Sequence, residues 1–178
     1  MTILQSTGAC FAFSPTARAV TPAPDGGYPG QNTAEGTNAL TNVTGTNNTA
    51  IGFDALLSNT NGSFNTATGA GALQNNITGN ANTATGAFAL QLNSCCNQSF
   101  SFPRSNTATG EAALNSNTIG FYNTANGVDA LLSNTTGRDN TATGSDALAS
   151  NVNGSSNTAN GLNALNKNTT GSNIRIGL

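Results

Sequence analysis

The stretch Asn48-Thr49-Ala50-Ile51-Gly52-Phe53-Asp54-Ala55-Leu56-Leu57-Ser58-Asn59-Thr60-Asn61-Gly62-Ser63-Phe64 returns, with variations, along most of the chain. The Asn-Thr-Ala-x-Gly unit starts at Asn32, Asn48, Asn65, Asn82, Asn106, Asn123, Asn140 and Asn157, so successive offsets are 16, 17, 17, 24, 17, 17 and 17. The period is 17, with one deletion and one insertion of seven. Ala-Leu follows each start at a fixed distance, from Ala39-Leu40 to Ala164-Leu165. An Asn comes next (Asn59, Asn76, Asn93, Asn117, Asn134, Asn151, Asn168), and usually a Gly three residues later. Internal periods of this size mark stacked-repeat architectures.

Seventeen residues cannot enclose a core, so each unit is one coil of a stack that shares its core with its neighbours. Thr-Ala-x predicts a short strand, because Thr is β-branched and the variable site often repeats it (Thr68, Thr85, Thr109, Thr143). Stacking places these strands in parallel, about 4.8 Å apart. Side chains alternate along a strand, so Asn, Ala and Gly share the inward face while Thr and the variable residue point out. The repeated Asn and Gly at the later positions are read as the source of left-handed corner conformations. The fold class expected is thus a parallel β-solenoid of about eight coils.

The Ala-Leu segment has two readings. Asp54, Glu111, Asp129 and Asp146 precede it, and Asn then Gly close it, as in a short helix with a favourable first turn. Helices pack 8–10 Å apart, about twice the strand spacing, so a helical turn in each coil implies a curved stack. A second strand with straight stacking is the alternative. In both, the Leu points inward.

Residues 1–19 read as a secretory signal: apolar Ile3, Leu4 and Cys10 to Phe13 precede Ala17-Arg18-Ala19, a small-x-small cleavage pattern. Residues 20–31, rich in Pro and Gly, read as a linker; 32–178 form the solenoid, with an inserted loop at 94–105. No apolar run approaches the roughly 20 residues that span a bilayer. The chain is expected to be secreted or held at the cell surface. Asn173 to Leu178 begins a ninth unit. Its bare parallel edge is expected either to meet a partner or to continue in a longer natural chain.

Composition narrows the function. Among 178 residues there is no His, and only 7% are charged, with five Lys and Arg and a net charge of -2. Imidazole catalysis and His-ligated zinc are excluded, and so few cations argue against nucleic acid as a partner. Asp54, Asp129 and Asp146 recur in register, as repeat positions do, and not as a converging acid/base pair. We therefore expect no enzyme, no cofactor and no metal site. One Leu and two Ala per coil make a thin core, from which self-association is expected.

Two features are candidates for binding. Thr66 and Thr68, Thr83 and Thr85, Thr107 and Thr109, and Thr141 and Thr143 would form Thr-x-Thr rows on one face. Such an array resembles the face of ice-binding solenoids; a carbohydrate surface is the other ligand considered. Against this stands the general preference of exposed strands for Thr. The insertion carries Cys95, Cys96, Phe100, Phe102 and Arg104, which suit a contact loop or intermolecular disulfides, against a tolerated loop without function.

The Asn48-Thr49-Ala50-Ile51-Gly52 unit, with Ala55-Leu56 and the Asn134-Thr135-Thr136-Gly137 corner, resembles repeats of bacterial and phage surface proteins. It looks like a longer relative of the head repeats of trimeric autotransporter adhesins, and similar repeats occur in phage tail fibres. The resemblance covers Asn32 to Gly177 and implies a non-enzymatic spacer or adhesin-like element that self-associates as a trimer.

Overall fold

The computed structural model describes residues 28–41, 43–94 and 105–177. They form one parallel β-solenoid. Nine three-residue strands, β1 (Thr33–Glu35), β2 (Thr49–Ile51), β3 (Thr66–Thr68), β4 (Thr83–Thr85), β5 (Thr107–Thr109), β6 (Thr124–Asn126), β7 (Thr141–Thr143), β8 (Thr158–Asn160) and β9 (Ile174–Ile176), pair in chain order. The register is invariant from β1 to β8: Thr faces Thr and Ala faces Ala in every pair, as in Thr49↔Thr66 and Ala50↔Ala67. The middle Ala of those eight strands is buried, and its two neighbours are exposed or half-buried. The expected division into an inward Ala and outward Thr is therefore what the chain adopts.

The core is a set of columns. Two alanines and one leucine per coil, such as Ala50, Ala55 and Leu56, are buried, except that Leu165 of the last coil is half-buried. At the strand-end glycine the coils nearly touch: a Cβ on Gly127, whose φ is +142°, would lie 2.5 Å from the Gly144 carbonyl oxygen. Only glycine fits there, for both reasons.

The Ala-Leu segment is neither a helix nor a second strand; no helix occurs among the described residues. It is a run of overlapping turns. Leu56 has φ +51° and Asp54 φ +55°, and the same two positions are left-handed in the other coils. The N–H groups then alternate in use. Those of Ala55, Leu57 and Asn59 close turns onto Gly52, Asp54 and Leu56, while those of Leu56 and Ser58 donate to Ala72 and Gln74 of the next coil. Alternating handedness keeps the segment narrow enough to stack at strand spacing, so no helix width has to be accommodated. It also explains the residue before Ala-Leu. In six of the eight coils it is Asn, Asp or Gly (Asn38, Asp54, Gly71, Asp129, Asp146, Asn163), the residues that tolerate the left-handed region, while Phe88 and Ala112 adopt the same conformation in the other two; no helix start is involved. The adjacent Leu is never Ile or Val, as expected of a site where β-branching would be strained.

The corners also differ from the expectation. Gly62, Gly79, Gly120, Gly137 and Gly154 are not among the left-handed residues; that conformation falls two positions later, at Phe64, Ala81, Tyr122, Asp139 and Ser156. These glycines are required by contact, because a Cβ on Gly62 would approach the Asn59 Oδ1 to 2.2 Å.

At the amino-terminal side, Tyr28 packs against the core and exchanges backbone hydrogen bonds with Asn32. The insertion leaves the stack intact. β4 and β5 pair in the same register as all the others, and Asn117 Nδ2 donates to Asn93 Oδ1 at 3.0 Å across it. Replacing residues 94–105 by a copy of residues 60–64 restores the 17-residue period. Shortening the loop lowers its closure entropy by about 1 kcal/mol, so the variant should melt at or slightly above the parent temperature. A lower melting temperature would show that the insertion contributes to folding.

Candidate functional site

The site with the most regular geometry is the outward face of the sheet. One column of threonines runs without interruption from Thr33 to Thr158. The parallel column reads Glu35, Ile51, Thr68, Thr85, Thr109, Asn126, Thr143 and Asn160. Thr66, Thr68, Thr83, Thr85, Thr107 and Thr109 therefore form one contiguous block on three successive strands. Thr141 and Thr143 stand apart from it, because Asn126 interrupts the second column on β6.

The threonines of the molecule divide by how their hydroxyls are used. On the corner, Thr44, Thr60, Thr118 and Thr135 donate to the next coil's carbonyls at Thr60, Ile77, Thr135 and Val152, at 2.9–3.1 Å. The hydroxyls of the six-threonine block make no hydrogen bond within the described residues. They face solvent with their full donor and acceptor capacity.

Beneath the face lies a scaffold that the sequence only half revealed. The Asn that opens each coil is buried, and from Asn32 to Asn140 its Oδ1 receives both the backbone N–H and the Nδ2 of the equivalent Asn in the following coil. For Asn48 these come from Asn65 at 3.0 and 3.1 Å. The Asn after Ala-Leu forms a second buried ladder, with Asn76 Nδ2 donating to Asn59 Oδ1 at 2.9 Å and Asn134 Nδ2 to Asn117 Oδ1 at 2.8 Å. Both ladders meet at the corner glycine: the Gly62 carbonyl accepts from Asn48 at 2.8 Å and from Asn59 at 3.0 Å. Among the described residues, no buried side-chain nitrogen or oxygen lacks a partner. The signal for the second ladder was the constancy of Asn59, Asn76 and their equivalents, the same signal that marked the first.

Among the described residues, the carboxylates make separate contacts on different coils. Asp54 accepts from Asn38 at 3.0 Å and from Gln74 at 3.2 Å, and Asp146 from Ser145 at 3.1 Å. The Arg138–Asp139 pair, at 4.0 Å, is exposed on both sides and contributes little. Among the described residues, no three His, Cys, Asp or Glu side chains gather to hold a metal, and no helix is long and apolar enough to cross a membrane. Cys95, Cys96, Phe100, Phe102 and Arg104 lie outside the described residues. Near the end of the insertion, Tyr122 N–H donates to Ser105, Phe121 packs edge-on to Tyr122, and Arg138 lies over the Phe121 ring at 5.8 Å.

No protein-family model, curated protein or solved structure matches this chain.

Proposed function

We propose that this chain is an exported, non-enzymatic repeat protein that serves as a spacer or attachment element at a cell surface. The observation that supports it is the unbroken register of the coils, maintained by two asparagine ladders even across the seven-residue insertion. A stack of this kind has a length set by the number of coils and a cross-section that does not change along it. Each added coil extends its reach by about 4.8 Å. The charged side chains are few and dispersed, and the polar groups of the interior are consumed by the ladders.

Self-association fits the same role. The outer surface is sparsely charged and carries exposed apolar side chains such as Phe53, Phe64, Phe88, Val128 and Leu162. Lateral contact between copies would cover part of them without bringing like charges together. Resemblance to trimeric adhesin heads makes three the expected number.

The test is localisation together with modularity. Cells producing the full chain should display it to antibody and to added protease without permeabilisation. A version with residues 123–139 duplicated should fold, and should lengthen the particle seen by small-angle scattering by about one strand spacing. Confinement to the cytoplasm would overturn the surface role. A duplicated coil that unfolds the protein would overturn the spacer role.

A further inference from the structure

From the threonine block on β3, β4 and β5 we infer that the outward sheet face is a binding site for a crystalline water lattice, that is, for an ice surface. This goes beyond the spacer reading and does not depend on it.

Three properties of the block specify the ligand. The first is periodicity in two directions: along the stack the hydroxyls recur at about the strand spacing of 4.8 Å, and across it at two residues of strand rise, about 6.6 Å. A regular array gains over a single contact only where the partner repeats with it, since each further contact is then intramolecular. The second is rigidity. Thr is restricted at χ1, the strands are fixed by backbone bonds, and each coil is pinned from below by the Asn65 and Asn82 ladder bonds of 3.0–3.1 Å. The positions of the hydroxyls are therefore set before any ligand arrives.

The third is chemistry. Each side chain presents one hydroxyl, which can donate and accept, and one methyl. The six hydroxyls are unused within the described residues, whereas the corner threonines spend theirs on the next coil. If Thr were present only for strand propensity, the block would not differ from any exposed strand surface. Here it is uncharged, contains no aromatic ring and repeats in exact register on neighbouring strands. A polysaccharide surface is ordinarily held by aromatic rings against sugar faces and by carboxylate or amide groups on hydroxyl pairs. The block offers neither; it offers a regular array of free hydroxyls and methyls, the chemistry that an ordered array of water would take up.

The experiment uses the full purified chain in three forms: the parent, Thr85→Tyr in the centre of the block, and Ser133→Tyr outside the strand face. Ice crystals are grown in each solution while the melting and freezing points are recorded, and circular dichroism melts confirm that all three fold. The parent and Ser133→Tyr should shape the crystals and separate the freezing point from the melting point, and Thr85→Tyr should lose both effects. Absence of shaping by the folded parent would overturn the inference, as would full activity in Thr85→Tyr. Binding of the parent to cellulose or chitin particles, lost in Thr85→Tyr and unaccompanied by ice shaping, would reassign the face to a polysaccharide. None of these negative results would bear on surface display or coil modularity.

Discussion

Gly137→Ala should open the stack between the sixth and seventh coils and lower its stability by about 4 kcal/mol. A Cβ at this position would lie 2.3 Å from the Asn134 Oδ1 and 2.4 Å from the Gly154 carbonyl oxygen. Neither neighbour can retreat independently. Asn134 Oδ1 accepts from Asn151 Nδ2 at 2.9 Å, and the Gly154 carbonyl is held by both Asn140 and Asn151. The methyl therefore forces the coils apart. Overpacking alone costs about 1–3 kcal/mol, and the Asn123 and Asn134 bonds to the Gly137 carbonyl, at 2.8 and 3.1 Å, are strained with it, at about 1 kcal/mol each. Hydrogen exchange is the measurement. Protection should fall first at amides that bridge these coils, such as Thr124 and Thr135, which donate to Asn140 and Val152. Thr136→Ala, an exposed neighbour, should shift the melt by no more than about 0.5 kcal/mol. Equal protection in Gly137→Ala and the parent would mean that the corner can relax, and that its glycines are there for another reason.

What the sequence revealed and what it concealed follow from the same property of repeats. A column of identical residues announces that a position is constrained without stating the constraint. For Ala50 and its equivalents the cause was plain, since a strand alternates and Ala is the apolar member. The first Asn column was legible for the same reason. Asn59 and Asn76 read in the sequence as the end of a segment, although an amide buried at every coil requires partners that the neighbouring coil provides. Asp54, Asp129 and Asp146 carried two meanings at once, a helix-start charge and a left-handed backbone. The local sequence does not separate these; the strand spacing does, because a helix is too wide for it. The corner glycines likewise read as sites of backbone freedom, whereas the cause is the proximity of the next coil. In each case the missing information was a distance between coils, which a single repeat does not encode. The threonine face was readable as a pattern, but the silence of its hydroxyls became visible only beside the corner threonines that are bonded.

Asn123 is where the ladder can be tested for what its amides contribute. Its Nδ2 donates to Asn106 Oδ1 at 3.2 Å and to Gly137 at 2.8 Å, and its Oδ1 accepts from Asn140 N–H at 3.1 Å and Nδ2 at 3.0 Å. Asn123→Ala removes all four bonds. The Asn140 side chain keeps its bond to Gly154 at 2.9 Å, but the buried Asn140 N–H loses the acceptor it relied on. An orphaned buried donor costs about 1–3 kcal/mol, beyond roughly 1 kcal/mol for each bond lost, so a loss of about 6 kcal/mol is expected. Asn123→Asp keeps the shape and isolates the donor. Its second oxygen would face Asn106 Oδ1 and the Gly137 carbonyl, both acceptors, so the folded state favours the protonated acid and raises this carboxyl above its unfolded value of about 3.9. A raised folded pKa stabilises below the unfolded pKa and is lost as pH rises through the folded one. Measured against the parent at each pH, Asn123→Asp should approach parental stability near pH 3 and fall to or below Asn123→Ala by pH 8. If it matched the parent at pH 8, the columns of asparagine would be held by packing alone, and the directional amide chain would not be what sets the register of the stack.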